Sequence, residues 1–202
     1  MRHSAAAVTR RSRAPVLVAV AVLAAASMVT RASMAAFTAT TQNSGNQWSA
    51  ATVVLGDDDT GSALFNLAGM VPGGANASGT KCIKVSYTGS ATADIRLYAA
   101  LSNDTGLGQY LSLTVEEGTG GTFANNCAGF VANPASPLYS PGTLAGFASA
   151  HGSWANGVSS WQANGAVNRT YRITYTLQDN NAAQGTAVNA TFTWEAESVP
   201  HA

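Results

Sequence analysis

Tyr171-Arg172-Ile173-Thr174-Tyr175-Thr176-Leu177 is the stretch on which the fold turns. Its aromatic and aliphatic residues fall on odd positions and Arg172, Thr174 and Thr176 on even ones, so an extended chain would carry an apolar face and a polar face. Working outward, the same period of two recurs at Ile83, Val85 and Tyr87, at Leu111, Leu113 and Val115, and at Val188, Ala190, Phe192 and Trp194. The intervening Thr, Ser, Lys and Asn side chains suit the wet face of half-buried antiparallel strands. Between these segments stand Thr88-Gly89-Ser90, Asp104-Thr105-Gly106, Gly118-Thr119-Gly120-Gly121 and Asp179-Asn180-Asn181, residue types that reverse a chain at low conformational cost. Only Thr143 to Ala150 reads as helix, with Leu144, Phe147 and Ala148 on one side, and the stretch Asn133 to Gly142 reads as loop. The pattern predicts an all-β fold, an antiparallel β-sandwich of jelly-roll type with one short helix, in a single domain over residues 36–202.

The first part of the chain differs in composition from the rest. Of ten Lys and Arg residues in the 202, Arg2, Arg10, Arg11, Arg13 and Arg31 lie at the start, while all sixteen aromatic residues follow them. Arginines, then the apolar run Val16 to Ala26, then small residues at Ala32, Ser33, Ala35 and Ala36 are in the order of an export signal. The apolar run is about 17 Å long as a helix, well short of a ~30 Å hydrocarbon core. Residues 1–35 are therefore read as a signal peptide, cut between Ala35 and Ala36, with Thr30 and Ala32 offering the same small residues three positions earlier, and membrane contact is expected only through that peptide before cleavage.

Downstream of the signal, five basic residues face ten acidic ones. Nucleic acid is not an expected partner, because phosphate binding needs clustered Lys and Arg. The two cysteines, Cys82 and Cys127, both follow the cut, and an oxidising compartment lets an even pair form a disulfide.

The motifs of common catalytic sites are missing. The sequence has no His-Glu-x-x-His, Cys-x-x-Cys, Gly-x-Ser-x-Gly or phosphate-cradling glycine loop, so neither catalytic residues nor a cofactor are assigned. His151 reads as a cap of the short helix. Glu116 and Glu117 point to opposite faces and read as a solvated strand end rather than a carboxylate pair. Asp57, Asp58 and Asp59 are the densest charge and a weak calcium candidate, since calcium takes six to eight oxygen ligands; without a spaced loop pattern they read as an acidic turn. Trp154 and Trp161, if exposed, would offer stacking faces to a sugar.

The segment Ala36-Phe37-Thr38, then Asn43-Ser44-Gly45-Asn46-Gln47-Trp48-Ser49-Ala50-Ala51-Thr52-Val53-Val54-Leu55, resembles the start of mature TasA/camelysin-like secreted proteins, with Ala51 where glycine is usual. The likeness continues through Cys82-Ile83-Lys84-Val85-Ser86-Tyr87, Ala93-Asp94-Ile95-Arg96-Leu97-Tyr98 and Ala190-Thr191-Phe192-Thr193-Trp194-Glu195, and is nearest to actinobacterial members. The resemblance implies a jelly-roll protein processed by a SipW-type signal peptidase and, in the best-known members, built into extracellular matrix fibres. Camelysin-type relatives are also classed as metallopeptidases, an activity that no motif here supports.

The expected function is therefore a non-catalytic structural subunit of cell-surface or biofilm-matrix fibres, self-associating and open to other matrix or cell-wall components. The other functions weighed are a camelysin-like metallopeptidase and a carbohydrate-binding surface module. Strand donation is expected from Ala36 to Leu55, with Phe37, Ala39 and Thr41 on one face of the donated strand.

Overall fold

A computed structural model describes residues 50–199. The predicted export signal, the cleavage bond Ala35–Ala36 and the strand-donation residues Phe37, Ala39 and Thr41 lie outside the described residues. Among the described residues nine strands and one α-helix follow in order: β1 Leu55–Asp57, β2 Ser78–Tyr87, β3 Thr92–Ser102, β4 Leu111–Thr119, β5 Val131–Ala132, β6 Tyr139–Thr143, α1 Leu144–Ala150, β7 Val158–Asn164, β8 Val167–Leu177 and β9 Asn189–Ser198. All pairings are antiparallel.

The strands make two sheets. In the first the order is β1-β2-β8-β4-β5, with β6 also on β4; in the second it is β7-β3-β9. The long strands visit the sheets alternately, β2, β4 and β8 in the first and β3, β7 and β9 in the second. Their inward residues merge into one core, where Ile83, Val85, Val115 and Ile173 of the first sheet meet Ile95 and Leu97 of the second. This is the antiparallel β-sandwich that the alternation predicts. Tyr171 of β8 packs its ring 5.4 Å from Trp194 of β9, tying the layers directly.

Local chemistry explains the helix. The Thr143 hydroxyl accepts the Gly146 N–H at 3.0 Å, satisfying one donor of the first turn. Leu144 and Phe147, three apart, share the buried side, and the His151 N–H returns to the Phe147 carbonyl at 2.7 Å. His151 thus caps the helix as expected, and its Nδ1 lies 2.6 Å from the Asn156 carbonyl.

Three expectations need correction. The stretch Asn133 to Gly142 is not all loop, because Tyr139–Thr143 forms β6 against β4; Pro141 is tolerated there because β6 lies on the sheet's outer side. Gly118 is not in the turn but inside β4, where a Cβ would overlap the Val131 carbonyl of β5. Leu55 is not free for donation: it pairs with Tyr87 within the same chain, and the Thr52 N–H donates to the Ser90 hydroxyl at 3.0 Å.

Candidate functional site

The inward row of β4 runs Leu111, Leu113, Val115 and ends at Glu117, so the space between the sheets has an apolar end and a charged end. The apolar end opens into a groove of about 350 Å³. Its floor is Ile83, Leu113, Ile173 and Tyr175 of the first sheet, and one wall is Ala190, Phe192 and Trp194 of β9. Leu64, Phe65 and Met70 of the segment between β1 and β2 form the roof, with Phe65 edge-on to Tyr175 at 4.9 Å. Burial in apolar surroundings pushes the Tyr175 phenol above its ordinary range.

Beside this groove runs β9. Among the described residues it pairs with β3 alone, in an unbroken register from Ala93↔Ser198 to Ser102↔Asn189. Its ten residues contain neither proline nor lysine, and its charges are confined to Glu195 and Glu197 near its end. Among the described residues the other edges differ: β1 has three residues and leaves Ser78–Lys84 of β2 without a partner strand on that side, β5 has two, β6 carries Pro141, and seven-residue β7 pairs with a register shift between Ile95 and Leu97.

The charged end is closed. Glu117 is fully buried, which overturns its reading as a solvated strand end. Its carboxylate accepts Asn133 Nδ2 at 3.0 Å and the Tyr171 hydroxyl at 3.2 Å, and Arg169 Nε lies 3.7 Å away. Ser136 Oγ accepts the Glu117 N–H at 2.7 Å and donates to the Glu117 carbonyl at 2.6 Å. Burial, reinforced by the Glu117 charge, drives the Tyr171 phenol well above its usual range. Glu116 does face the opposite way, as expected, and forms a bidentate pair with Arg172 at 2.6 and 2.8 Å on the outer face. The two carboxylates therefore do not converge on a substrate.

Cys82 and Cys127 are joined, with Cα atoms 5.1 Å apart. A disulfide forms and persists in oxidising surroundings. Residues 120–130 make a strap over the outer face of the first sheet. There Cys82, Arg172 and Glu116 are cross-strand neighbours on β2, β8 and β4, and the Arg172 guanidinium stacks 4.4 Å from the Phe130 ring. The strap turns on Gly120, at φ +69°, where any Cβ would overlap the Gly129 carbonyl.

The aspartate run binds backbone. Asp57 accepts the Asp59 N–H at 3.3 Å, Asp59 accepts the Gly61 N–H at 2.7 Å, and Asp58 reaches both the Lys84 and Phe123 amides at 2.8 and 3.0 Å. Among the described residues no group of three or more His, Cys, Asp or Glu is arranged to hold a metal. Trp161 is 4% exposed and cannot serve as a sugar platform. Trp154 is half-buried with Arg96 stacked 5.0 Å from its ring. Among the described residues no helix is long and apolar enough to cross a membrane.

Searches against family models and against curated proteins gave no significant match. The fold and groove thus define the class: a disulfide-strapped, two-sheet antiparallel β domain in which, among the described residues, the ten-residue β9 edge runs beside an apolar cleft.

Proposed function

We propose that the chain is a non-catalytic structural subunit of extracellular or cell-surface fibres, exported by its N-terminal signal and assembled by β-strand donation, as the TasA/camelysin resemblance implies. The observation that carries this reading is the open β9 edge beside the apolar groove. An added strand gains main-chain hydrogen bonds along such an edge, and its alternate side chains gain apolar pockets. The donor is the segment from Ala36 to Ser49 of a neighbouring subunit, because Thr52 and Leu55 are already held within their own chain. In the donated strand Phe37, Ala39 and Thr41 would share the face turned to the groove, and cleavage at Ala35–Ala36 would free the segment only after export. A head-to-tail contact that does not close builds a filament.

Electron microscopy and sedimentation of the mature chain, beside a version lacking Ala36 to Gln42, test this. Filaments are expected from the first and none from the second. Equal filaments from both would remove strand donation, and none from either would remove the fibre itself.

A further inference from the structure

The pairing of β3 with β7 carries a bulge, and a niche opens beside it. The two strands run residue for residue from Thr92↔Asn164 to Ile95↔Trp161, but Leu97 lies opposite Val158, so Arg96 alone faces both Ser159 and Ser160. A bulge of this kind interrupts the ladder and re-aims the side chains around it. The Trp161 N–H is taken up by Ser159 Oγ at 2.9 Å. The niche, of about 250 Å³, is lined by Asp94, Ile95, Arg96, Ser159, Trp161 and Gln162, and shares no residue with the groove between the sheets. Asp94, Arg96 and Gln162 alternate with the buried Ala93, Ile95, Leu97, Trp161 and Ala163, which places them on the outer face of the second sheet. Gln162 Nε2 donates to Asp94 Oδ1 at 2.9 Å, and among the described residues the other Asp94 oxygen and the Gln162 side-chain oxygen have no donor. Arg96 is held in place: its guanidinium lies 5.0 Å from the Trp154 ring, and Nη1 donates to the Trp154 and Ala155 carbonyls at 3.3 Å each. Glu195 is its direct neighbour on β9, but that carboxylate accepts the Tyr98 hydroxyl at 2.8 Å, and among the described residues Arg96 forms no ion pair. Its Nε and Nη2 remain as donors in a fixed fork.

We propose that this niche binds one ring of a neutral saccharide. Carboxylate and amide acceptors beside guanidinium donors match a polyhydroxylated ring, because each sugar hydroxyl both donates and accepts. Charge selects against the alternatives. An anionic ligand would meet Asp94 together with Glu195 and Glu197 across β3 and β9, and a compact cation would meet the Arg96 guanidinium. At about 250 Å³ the niche is smaller than the ~300–1,000 Å³ of sites for drug-sized ligands, so it takes a single ring, at the end of a longer chain or within it. Trp154 is a positioning residue here: it fixes Arg96 and is not itself the platform for the sugar. The site does not rest on strand donation, since monomer and filament alike would present it.

Saturation-transfer difference NMR on the mature chain, with cellohexaose, maltohexaose and mannohexaose as probes, reads weak binding to monomer and filament alike. At least one probe is expected to show transfer concentrated on one ring. Asp94→Ala and Gln162→Ala should each weaken its binding about tenfold, the loss of one or two hydrogen bonds. Both side chains stand on the outer face, so near-UV circular dichroism should not change. Arg96→Lys, which keeps the charge and removes the fork, should weaken binding as well. Hexagalacturonate, of the same length but anionic, should bind less tightly than the neutral probe. Absence of transfer to every neutral probe would overturn the proposal. Affinity that both Asp94→Ala and Gln162→Ala leave unchanged would do the same, as would tighter binding of hexagalacturonate. If either alanine variant alters the dichroism, Asp94→Asn, of the same shape without the charge, decides in its place: weakened binding supports the niche, and unchanged affinity removes it.

Discussion

Between the sheets, the end holding Glu117 and the end holding the groove are built from the same strands, β4 and β8, yet they are finished in opposite ways. Glu117 and Tyr171 are wholly buried, with partners from the β5–β6 segment and a strap fastened nearby. Leu111 and Tyr175, at the other end, retain 8% and 7% exposure beside an open cleft. The difference follows from what each end would lose on being half-finished. A buried carboxylate without its partners costs several kcal/mol, so it must be enclosed completely. An apolar wall loses only its share of burial, about 25 cal/mol per Å², and that loss is recovered when an apolar segment enters. The closed end secures the fold, and the open end leaves an apolar wall accessible.

The sharpest way to break this contrast is to unfasten the strap. Replacing Cys82 and Cys127 together by Ala should cost about 4 kcal/mol, from the loop of about 45 residues that the bridge closes in the unfolded chain. Urea denaturation measures it, and hydrogen exchange should show residues 120–130 losing protection before Leu113 does. A cost below about 1 kcal/mol would mean that the Arg172–Phe130 stack and the Asp58 contact hold the strap unaided, since the covalent constraint would then be adding little.

A smaller effect is expected from Glu117→Gln, which keeps the shape and removes the charge. Breaking a buried pair costs about 3–5 kcal/mol, but Arg169 keeps 31% of its side chain exposed and recovers part of its hydration, so about 2–3 kcal/mol is expected. The same urea midpoint reports it, and an unchanged midpoint would show that Asn133 and Tyr171 satisfy the position without the charge. The Tyr171 phenol carries a pH signature of its own. Its raised folded value favours the neutral form, so its contribution is intact below the ordinary phenol value of 10.0 and wanes as pH rises beyond it.

Much of the closed end's position, though little of its wiring, was legible from the residues. The odd-numbered register Leu111, Leu113, Val115 extends to Glu117, so its inward direction follows from the period of two alone. What hid its burial was the partner set: Asn133 and Ser136 are local, but Arg169 and Tyr171 arrive from a strand more than fifty residues away. Asp58 is the same case, with amide donors 26 and 65 residues distant. Tyr171–Leu177 declared β8 because its inward residues are large, whereas β7 places Trp161 and Ala163 inward between Gln162 and Asn164, a pattern too short and too mixed to declare itself. The open edge was not readable, since no local pattern says whether a strand has one neighbour or two.

The smallest effect comes from a carboxylate outside the enclosure. Partial desolvation, then the Asp59 side chain and its charge, raise the Asp57 carboxyl above its ordinary 3.8. A raised folded value means that the folded state holds the proton more tightly than the unfolded one, so the charged form is a cost at neutral pH. That cost is relieved as pH falls through the raised value and is gone below about 3.8, where both states are protonated. Asp57→Asn should therefore stabilise the domain at pH 7, by only about 0.2–0.5 kcal/mol because the side chain is exposed and screened. The gain should shrink towards zero at acid pH and in concentrated salt, as read from paired thermal melts. Destabilisation at pH 7 would instead mean that the bond Asp57 accepts from the Asp59 N–H outweighs the repulsion, making the aspartate run a structural turn in which each carboxylate contributes more by its acceptor than it costs by its charge.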